Sequence, residues 1–404
     1  MRRLINQVRP YAWGSQTAIP RLLGTPPDGR PQAELWLGAH PGAPSRLLVD
    51  GEEVPFDGVI AQDPKETLGE QVVLRFGERL PFLLKVLAAE APLSLQAHPD
   101  SSRACAGFLA EEAAGIPVDA PHRNYRDPHH KPELVLALEP FEALCGFRDP
   151  AETFADLAPC EGRLARLLRG DLETADPNVA LRAAMTRLLT LPADGRAELV
   201  GELVESLRDP ACARPGSAMN ARATIELAER YPGDPGAVAA LLLNWVELQP
   251  GQALFLPAGN VHAYLRGTAV EVMASSDNVL RAGLTSKHVD IQELLDVVDF
   301  SVLPIPYVRP VRSQGRLDYL PGVEEFALSV VEPGTGVARL PGEVPRIVLV
   351  LEGRAELRPE RGGALVLGRG DSVFVPAADG EVEIGGDAHV VAATIGGRAT
   401  AGPR

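Results

Sequence analysis

Four side chains of kinds that bind metal ions stand at separate places in this sequence: Gln96, His98, Glu133 and His262. One amide oxygen, two imidazoles and one carboxylate form a mixed nitrogen and oxygen donor set, which suits zinc, with iron or manganese as alternatives. A catalytic metal also needs an open position for water or substrate, which zinc gains by expanding to five ligands. The sequence therefore predicts a metal centre, provided that the fold brings these distant segments together.

The first two candidate ligands lie in the segment Pro92–Asp100. Strand alternation would place Ser94, Gln96 and His98 on one face and apolar residues on the other. An amide and an imidazole two residues apart can grip a metal ion from one face of a strand. The same pattern also fits an ordinary strand with a solvated face, so this segment alone leaves both interpretations open.

The third candidate, Glu133, begins an apolar strand, and Lys131 shares its face. A carboxylate at the mouth of a buried strand is costly unless it is paired or coordinated. The alternative is a surface ion pair between Lys131 and Glu133, worth about 0–1 kcal/mol. The adjacent His129 and His130 precede a proline and are expected to be exposed.

The fourth candidate, His262, follows a Pro-Ala-Gly-Asn turn that positions it firmly. A polar run farther along the chain contains Asp277 and Arg281. Charged groups of this kind near a metal can move a proton or hold developing negative charge.

The elements that must position these residues fall into three stretches. Residues 1–149 are broken by Gly and Pro and contain short β-like runs. These runs are Ser45–Val49, Pro81–Ala88, Leu93–His98 and Glu133–Leu138. Residues 150–231 are rich in Ala, Leu, Arg and Glu with helical spacing. After residue 231 the pattern again predicts β-strands, apart from one helix-like stretch at Asp290–Val298. Asp-Pro pairs that can begin or end helices occur at 149–150, 176–177 and 209–210.

An internal repeat is visible in the second half of the chain. Leu248–Ala258 aligns with Leu367–Ala377 at an offset of 119 residues, and each copy has a Gly turn, an apolar strand and then Pro-Ala. This pattern is typical of a jelly-roll barrel and suggests two barrels built on one plan. If the same alignment is continued, Glu381 of the second copy occupies the position equivalent to His262 of the first, so only the first copy has a histidine there.

Composition excludes several classes of protein. The 404 residues carry a net charge of −15, which disfavours nonspecific binding to nucleic acid or to an acidic membrane. No apolar run reaches the roughly 18 residues of a membrane span, and the N-terminus lacks the apolar core of a signal peptide. The four cysteines form no CxxC pair and are expected to be reduced thiols. We therefore expect a globular, cytoplasmic protein.

Several long sequence blocks, in order, resemble the bacterial branch of the type I mannose-6-phosphate isomerases, and the likeness runs over nearly the whole chain. The blocks are Tyr-Ala-Trp-Gly-Ser (11–15), Ala-Glu-Leu-Trp-Leu-Gly-Ala-His-Pro (33–41), Leu-Pro-Phe-Leu-Leu-Lys-Val-Leu (80–87), Pro-Leu-Ser-Leu-Gln-Ala-His-Pro (92–99), His-Lys-Pro-Glu-Leu-Val (130–135), Gly-Asn-Val-His-Ala-Tyr (259–264) and Glu-Val-Met-Ala-Ser-Ser-Asp-Asn-Val-Leu-Arg-Ala-Gly-Leu-Thr (271–285). The stretch after about residue 320 is the least family-specific part.

The resemblance implies a zinc-dependent aldose–ketose isomerase that interconverts mannose 6-phosphate and fructose 6-phosphate. It also implies a mainly β fold with an α insert: two cupin-type jelly-roll barrels plus a helical domain. The expected catalytic barrel comprises residues 1–149 and 232–300, the helical insert residues 150–231, and the second barrel, without a metal site, residues 301–404. We expect one zinc ion per chain, a small sugar phosphate as substrate, and a monomer.

Site residues follow from the resemblance motif by motif. The family pattern implies that Gln96, His98, Glu133 and His262 are the zinc ligands and that Arg281 is the essential arginine. It places Lys85, Ser94 and Lys287 in the phosphate pocket. We expect proton transfer between C1 and C2 through a cis-enediol, and Lys131, Asp277 and Arg281 are the unranked candidates for the base.

Two other classes of function remain open at this point. Two histidines and one glutamate on a cupin also describe the metal site of a non-haem iron oxygenase, although Gln96 would fill a position that oxygen chemistry needs. A sugar-binding cupin that kept the metal and lost turnover is the non-enzymatic alternative. The presence of both Asp277 and Arg281 weighs against that alternative.

Overall fold

The computed structural model describes residues 1–49, 51–209, 212, 218–334 and 336–397. Within these residues the chain forms 22 strands and 12 α-helices. Every strand pairing among them is antiparallel, and the strands assemble into two sheets of eleven strands each.

Most strands are short, as the frequent Gly and Pro residues predict. They are β1 Arg2–Ile5, β2 Gln7–Arg9, β3 Glu34–Leu37, β4 Arg46–Val49, β5 Glu52–Pro55, β6 Phe82–Ala89, β7 Leu95–Ala97, β8 Glu133–Ala137, β9 Phe141–Phe147, β10 Leu243–Leu248, β11 Ala253–Leu256, β12 His262–Ala274, β13 Leu280–Gly283, β14 Tyr307–Val308, β15 Val311–Ser313, β16 Arg316–Tyr319, β17 Ala327–Val331, β18 Ala338–Leu340, β19 Arg346–Pro359, β20 Leu365–Gly368, β21 Ser372–Val375 and β22 Val382–Thr394. All four predicted β runs coincide with strands, namely β4, β6, β7 and β8.

Six of the helices lie in the stretches that the sequence pattern predicts to be helical, and the other six lie in stretches predicted to be β, where that prediction is wrong. They are α1 Ala18–Leu23, α2 Phe56–Gln62, α3 Pro64–Leu68, α4 Glu70–Phe76, α5 Ser101–Ala113, α6 Pro150–Leu157, α7 Arg163–Leu172, α8 Pro177–Leu189, α9 Ala193–Leu207, α10 Ala218–Arg230, α11 Gly236–Ala239 and α12 Ile291–Val297. Asp149 and Asp176 cap α6 and α8, because each carboxylate accepts backbone N–H bonds ahead of a proline at the first helical turn. Pro210, of the third Asp-Pro pair, lies outside the described residues.

The first sheet is organised around the 13-residue strand β12. Its residues 267–274 pair with β6 and β8, whereas residues 262–266 pair with β7 and β9. Gly267 stands at the change with φ +117°, and a Cβ there would lie 2.6 Å from the Pro140 carbonyl oxygen. The strand can therefore bend from one layer into the other only with glycine at this position.

The second sheet is built mainly from β15 to β22, with β19 and β22 as its long central pair. Three strands from the N-terminal part of the chain extend it, because β1 pairs with β21 on one side and with β4 on the other, and β4 pairs with β5. The segment 1–149 thus contributes strands to both sheets.

The two sheets share one hydrophobic core. Alternate residues of β3, β6, β8 and β12 pack against alternate residues of β17, β19, β21 and β22. The largest contributors include Leu35, Leu37, Leu84, Val86, Leu134, Val272, Leu328, Ile347, Leu349, Phe374 and Val391. None of the described helices combines the length and apolar character needed to cross a membrane.

The prediction of a mainly β chain with helices is confirmed. Pairings among the described strands do not close either sheet into a ring, so the two jelly-roll barrels stay a prediction. The internal repeat has a structural counterpart, since Gly251 and Gly370 adopt φ of +83° and +82° and each precedes a four-residue strand. Each of those strands, β11 and β21, is followed by a 13-residue strand.

Candidate metal centre

Three buried side chains from distant parts of the chain meet at one point. His98 Nε2 lies 3.3 Å from Glu133 Oε1, and His262 Nε2 lies 3.5 Å from Glu133 Oε2. One donor atom from each of the three residues lies within 4.8 Å of the other two. Their side chains are at most 2% exposed, so the arrangement is enclosed by protein.

Strand pairing produces this convergence. Glu133, the first residue of β8, pairs with Met273 of β12 and with Leu256 of β11. His262, the first residue of β12, pairs with Gln96 of β7. The bend in β12 therefore brings the layer that carries Glu133 over the layer that carries the other candidates.

Both histidines are oriented by hydrogen bonds from their second ring nitrogen. His98 Nδ1 lies 2.8 Å from the carbonyl oxygen of Asn278, and His262 Nδ1 lies 3.0 Å from that of Asn260. A carbonyl oxygen can only accept, so each Nδ1 carries the proton and each Nε2 presents a lone pair. This is the tautomer that a metal-binding histidine needs.

Two polar atoms at the centre have no hydrogen-bond partner among the described residues, namely His98 Nε2 and Glu133 Oε2. A buried polar atom without a partner is costly. A metal ion would satisfy both atoms at once, so the residues present fit a bound cation.

The pKa shifts of His98 and Glu133 favour the protonation states in which these side chains bind metal ions. Burial lowers the pKa of His98 to about 4, which keeps the imidazole neutral. Burial alone would raise the pKa of Glu133, but His98 and Lys131 outweigh it and hold that pKa well below its usual range. A neutral imidazole and an ionised carboxylate are the forms that coordinate metals.

Gln96 lies at the edge of the same cluster. Its side-chain Nε2 is 3.3 Å from His262 Nε2, and the residue is half-buried. Rotating the side-chain amide by 180° exchanges its two end atoms and puts Oε1, instead of Nε2, next to His262. All four predicted ligands are therefore neighbours.

Lys131 stands beside the cluster. Its Nζ lies 3.2 Å from Glu133 Oε1, with side-chain exposures of 9% and 2%. The pair is thus buried, and the alternative of a surface ion pair is wrong. The neighbouring His129 and His130 are half-buried, contrary to expectation, and His130 Nε2 lies 2.7 Å from Glu325, a residue just ahead of β17 in the second sheet.

The other two base candidates line the neighbouring segment. Asp277 Oδ1 lies 3.5 Å from Nε2 of the buried His40, and the Asp277 side chain is 44% exposed. Arg281, half-buried in β13, pairs through its backbone with Gln96. Burial and the nearby Arg126 charge lower the pKa of Arg281.

The three residues predicted to bind phosphate occupy different environments. Lys287 is exposed, and partial burial together with the Arg281 and Arg126 charges lowers its pKa. Ser94 is half-buried directly ahead of β7. Lys85 is buried, and its Nζ lies 3.0 Å from Oε2 of Glu271, so its charge is already balanced by a carboxylate.

A row of buried side chains with polar groups in the first sheet was missed by the sequence analysis. Trp36, Lys85 and Glu271 stand opposite one another on β3, β6 and β12. Tyr264 OH donates to Glu271 Oε1 at 2.9 Å, and Trp36 Nε1 donates to Glu34 at 2.6 Å. An acidic residue inside the apolar run Val-Glu-Val-Met was the available signal, because a buried carboxylate requires partners.

Comparison with known proteins agrees with this geometry. A model of the phosphomannose isomerase type I catalytic domain matches residues 1–150. Mannose-6-phosphate isomerase from Salmonella typhimurium is 41% identical over 403 residues, covering 96% of this chain and 97% of the relative. Mannose-6-phosphate isomerase 1 from Arabidopsis thaliana is 35% identical, covering 95% and 91%. The chain belongs to the mannose-6-phosphate isomerase family.

Solved structures of the mannose-6-phosphate isomerase family extend the likeness to the fold. A mutant of phosphomannose isomerase from Salmonella typhimurium matches with a TM-score of 0.89 and 38% identity, covering 98% of this chain and 99% of the other. A holo, zinc-bound mannose 6-phosphate isomerase matches with a TM-score of 0.88 and 39% identity, at the same coverage. The predicted family and the prediction of an isomerase are confirmed.

The second sheet of this family member holds a positive side chain where the first sheet holds Glu133. In the register of the repeat, Val375 corresponds to Leu256; Leu256 pairs with Glu133, and Val375 pairs with Arg346. Among the described residues, the only metal-capable group of three His, Cys, Asp or Glu side chains is the one around Glu133.

The Arg346 side chain is fully buried, and its guanidinium donates to three backbone carbonyls, those of Pro341, Pro376 and Gly380. Burial lowers its pKa to about 10, so it remains charged at neutral pH. One fixed cation thus organises the carbonyls of three loop segments of the second sheet.

We expect Arg346→Met to lower the free energy of unfolding by about 2–4 kcal/mol, because three buried carbonyls lose their hydrogen-bond donor. Part of this loss is offset, since the variant no longer has to bury a charged guanidinium. Urea unfolding at neutral pH measures this. Arg339→Met is the control, since Arg339 is 52% exposed and its ion pair with Glu383 should contribute at most about 1 kcal/mol. Equal stability of Arg346→Met and the parent would contradict the prediction.

Proposed function

We propose that this protein interconverts D-mannose 6-phosphate and D-fructose 6-phosphate through a cis-enediol, with one zinc ion per chain. The observation that carries the proposal is the buried group of His98, Glu133 and His262, in which His98 Nε2 and Glu133 Oε2 have no hydrogen-bond partner among the described residues. Membership of the mannose-6-phosphate isomerase family is the reason for proposing a sugar phosphate as substrate and an isomerisation as the reaction.

His98, Glu133 and His262 would hold the zinc ion, with the amide of Gln96 as a fourth ligand. Two imidazoles, a carboxylate and an amide oxygen agree with the donor preferences of zinc. When bound, the ion supplies Lewis acidity that stabilises negative charge on the substrate oxygens. The hydrogen bonds of the two histidines to Asn278 and Asn260 hold their rings in the binding orientation.

Proton transfer falls to side chains around this group. In the aldose-to-ketose direction, a base removes the proton from C2, the enediol forms, and a proton is delivered to C1, while the hydroxyl proton on O2 moves to O1. Lys131 has its charged atom beside a candidate metal ligand, at 3.2 Å from Glu133. Asp277, oriented by His40, would exchange protons with the sugar oxygens, and Arg281 would hold negative charge on the enediolate.

The phosphate would be bound by Lys287, with the neighbouring Arg126 as a second cation. The lowered pKa values of Lys287 and Arg281 share one cause besides burial, which is the positive charge of their neighbours. Cations held close together favour a bound dianion. Ser94 and Lys85 stay predictions for this role, and Lys85 already has Glu271 as its partner.

We expect Lys287→Ala to raise KM for mannose 6-phosphate by about 10- to 100-fold, because a charged hydrogen bond contributes about 1.5–3 kcal/mol. The kcat should change by less than about threefold, since the phosphate is remote from the reacting carbons. Steady-state kinetics measures both. Lys65→Ala is the control, because Lys65 is exposed and forms an ion pair with Glu70. An unchanged KM in Lys287→Ala would remove Lys287 from the pocket.

The proposed function is tested by incubating the protein with mannose 6-phosphate in D2O without oxygen, with and without a metal chelator. We expect chelator-sensitive formation of fructose 6-phosphate, with some deuterium at the transferred position if the base exchanges its proton. A requirement for O2 would indicate an oxygenase, and binding without product would indicate a sugar-binding protein. Either result would overturn the proposal.

We further propose that residues 1–149 and 232–300 form the catalytic unit, because every candidate site residue lies in these ranges. The unit would exchange strands with its neighbour, since β1, β4 and β5 pair in the second sheet and β14 pairs in the first. Residues 150–231 would form the helical insert and residues 301–404 a second unit without a metal site. The four cysteines are free, in keeping with a cytoplasmic enzyme. The monomeric state stays a prediction.

A further inference from the structure

Asn278 connects two segments of the chain that carry candidate site residues. It is fully buried and lies in the extended segment between Asp277 and Arg281. Opposite this segment runs the loop formed by residues 126–131, which ends at Lys131 and leads directly into Glu133. The contacts between these two stretches pass through one asparagine side chain and its immediate neighbours.

The Asn278 amide is saturated by backbone groups of the 126–131 loop. Its Oδ1 accepts from the N–H of Arg126 at 2.8 Å and from that of Asp127 at 3.4 Å. Its Nδ2 donates to the carbonyl oxygens of Asp127 at 2.7 Å and His129 at 2.8 Å. A buried amide with every group paired holds its partners in one arrangement.

Neighbouring residues strengthen the same contact. Ser276 OH donates to the His129 carbonyl at 3.2 Å, and the Asn278 N–H donates to Ser276 Oγ at 3.3 Å. The backbone N–H of Asp277 donates to a carboxylate oxygen of Asp127 at 2.8 Å. Three consecutive residues, 276–278, therefore all form hydrogen bonds with the 126–131 loop.

The main chain of Asn278 makes the connection to the metal centre. Its carbonyl oxygen accepts the His98 Nδ1 proton at 2.8 Å. Because Asn278 lies outside regular strand pairing, which resumes only at Leu280, the direction of this carbonyl depends on the side-chain anchor. We propose that Asn278 is a positioning residue, which sets the orientation of His98 and the placement of the loop that carries Lys131 in one contact.

This inference rests on the proposed zinc site, and zinc retention is its direct readout. Hydrogen-bond partners of metal ligands typically affect metal affinity by about 10- to 100-fold. The chain offers a matched control in Asn220, which is 7% exposed and donates through Nδ2 to the carbonyls of Ala240 and Leu243 at 2.9 and 2.7 Å. Both asparagines bind main-chain carbonyls, but Asn220 belongs to the helical region.

The experiment compares the zinc dissociation constants of the full-length parent, Asn278→Ala and Asn220→Ala by competition with a chromogenic chelator, together with thermal midpoints, kcat and KM. We expect both variants to lose thermal stability. Asn278→Ala alone should raise the zinc dissociation constant by about 10-fold or more and lower kcat. Asn220→Ala should stay within about twofold of the parent in zinc affinity.

An Asn278→Ala variant that is destabilised like Asn220→Ala but binds zinc as tightly as the parent would overturn the inference. Should Asn278→Ala fail to fold, Ser276→Ala replaces it, since that change removes the hydrogen bond to the His129 carbonyl and the acceptor of the Asn278 N–H but leaves the Asn278 amide in place. We then expect a zinc dissociation constant about 3- to 10-fold higher, and an unchanged value would overturn the inference. A parent that binds no zinc would overturn the proposed function itself.

Discussion

Replacing Glu133 with glutamine is expected to abolish stable zinc binding and to lower kcat/KM by a factor of about 10³ or more. Glu133 is the only anionic side chain in the metal-capable group, and both of its oxygens face a histidine Nε2. A neutral amide of the same shape keeps the packing but removes the charge that attracts the cation. Loss of Lewis-acid stabilisation costs several kcal/mol in the barrier, and each 1.36 kcal/mol is a factor of ten in rate.

Metal content by mass spectrometry and steady-state kinetics check this expectation. Glu293→Gln is the control, because Glu293 in α12 accepts from Arg103 at 2.7 and 2.6 Å in a partly buried ion pair that contributes nothing to the metal centre. The control should keep its zinc and its activity. Full zinc occupancy in Glu133→Gln, with kcat/KM within tenfold of the parent, would show that the metal is held elsewhere.

Replacing Lys131 with methionine is expected to lower kcat by about 10²–10⁴ while zinc remains bound. Positioned acids and bases contribute this much to proton transfer. The Lys131 ammonium group lies 3.2 Å from Glu133 and is buried beside the metal centre. Methionine keeps most of the apolar stem, and removing the cation leaves the Glu133 charge free for zinc, so metal loss should not account for the effect.

Comparison with the other two candidates makes this prediction specific. Asp277→Asn and Arg281→Met are measured alongside Lys131→Met for kcat, KM and zinc content. Because the Asp277 side chain is 44% exposed, we expect its replacement to reduce kcat less than that of Lys131. A larger fall in Asp277→Asn or Arg281→Met than in Lys131→Met, at equal zinc content, would transfer the proton-transfer role to that residue.

Much of the local structure could be predicted because it depends on near neighbours. Alternation in Leu93–His98 and Glu133–Leu138 predicts β7 and β8, and Asp-Pro pairs predict the starts of α6 and α8. The repeat likewise predicts the matched Gly turns ahead of β11 and β21. Each of these signals operates over a few residues, where backbone sterics and hydrogen bonding leave few alternatives.

Partners far apart in the chain escaped the sequence analysis. Lys85 was expected to face phosphate, but strand register places it opposite Glu271, 186 residues away. His130 was expected to be exposed, but Glu325, 195 residues away, reaches it from the second sheet. Nothing near either residue in the sequence identifies its partner.

The amino-acid sequence by itself determined the kinds of metal donor present and the helical or β periodicity of many segments. Through its resemblance to a known family it also determined which residues to examine. Only the tertiary structure decided that an imidazole of β12, another beside β7 and the first carboxylate of β8 share one enclosed point. The reason is physical: donor types and local periodicity belong to single segments, whereas hydrogen-bond register between remote strands selects which side chains face one another.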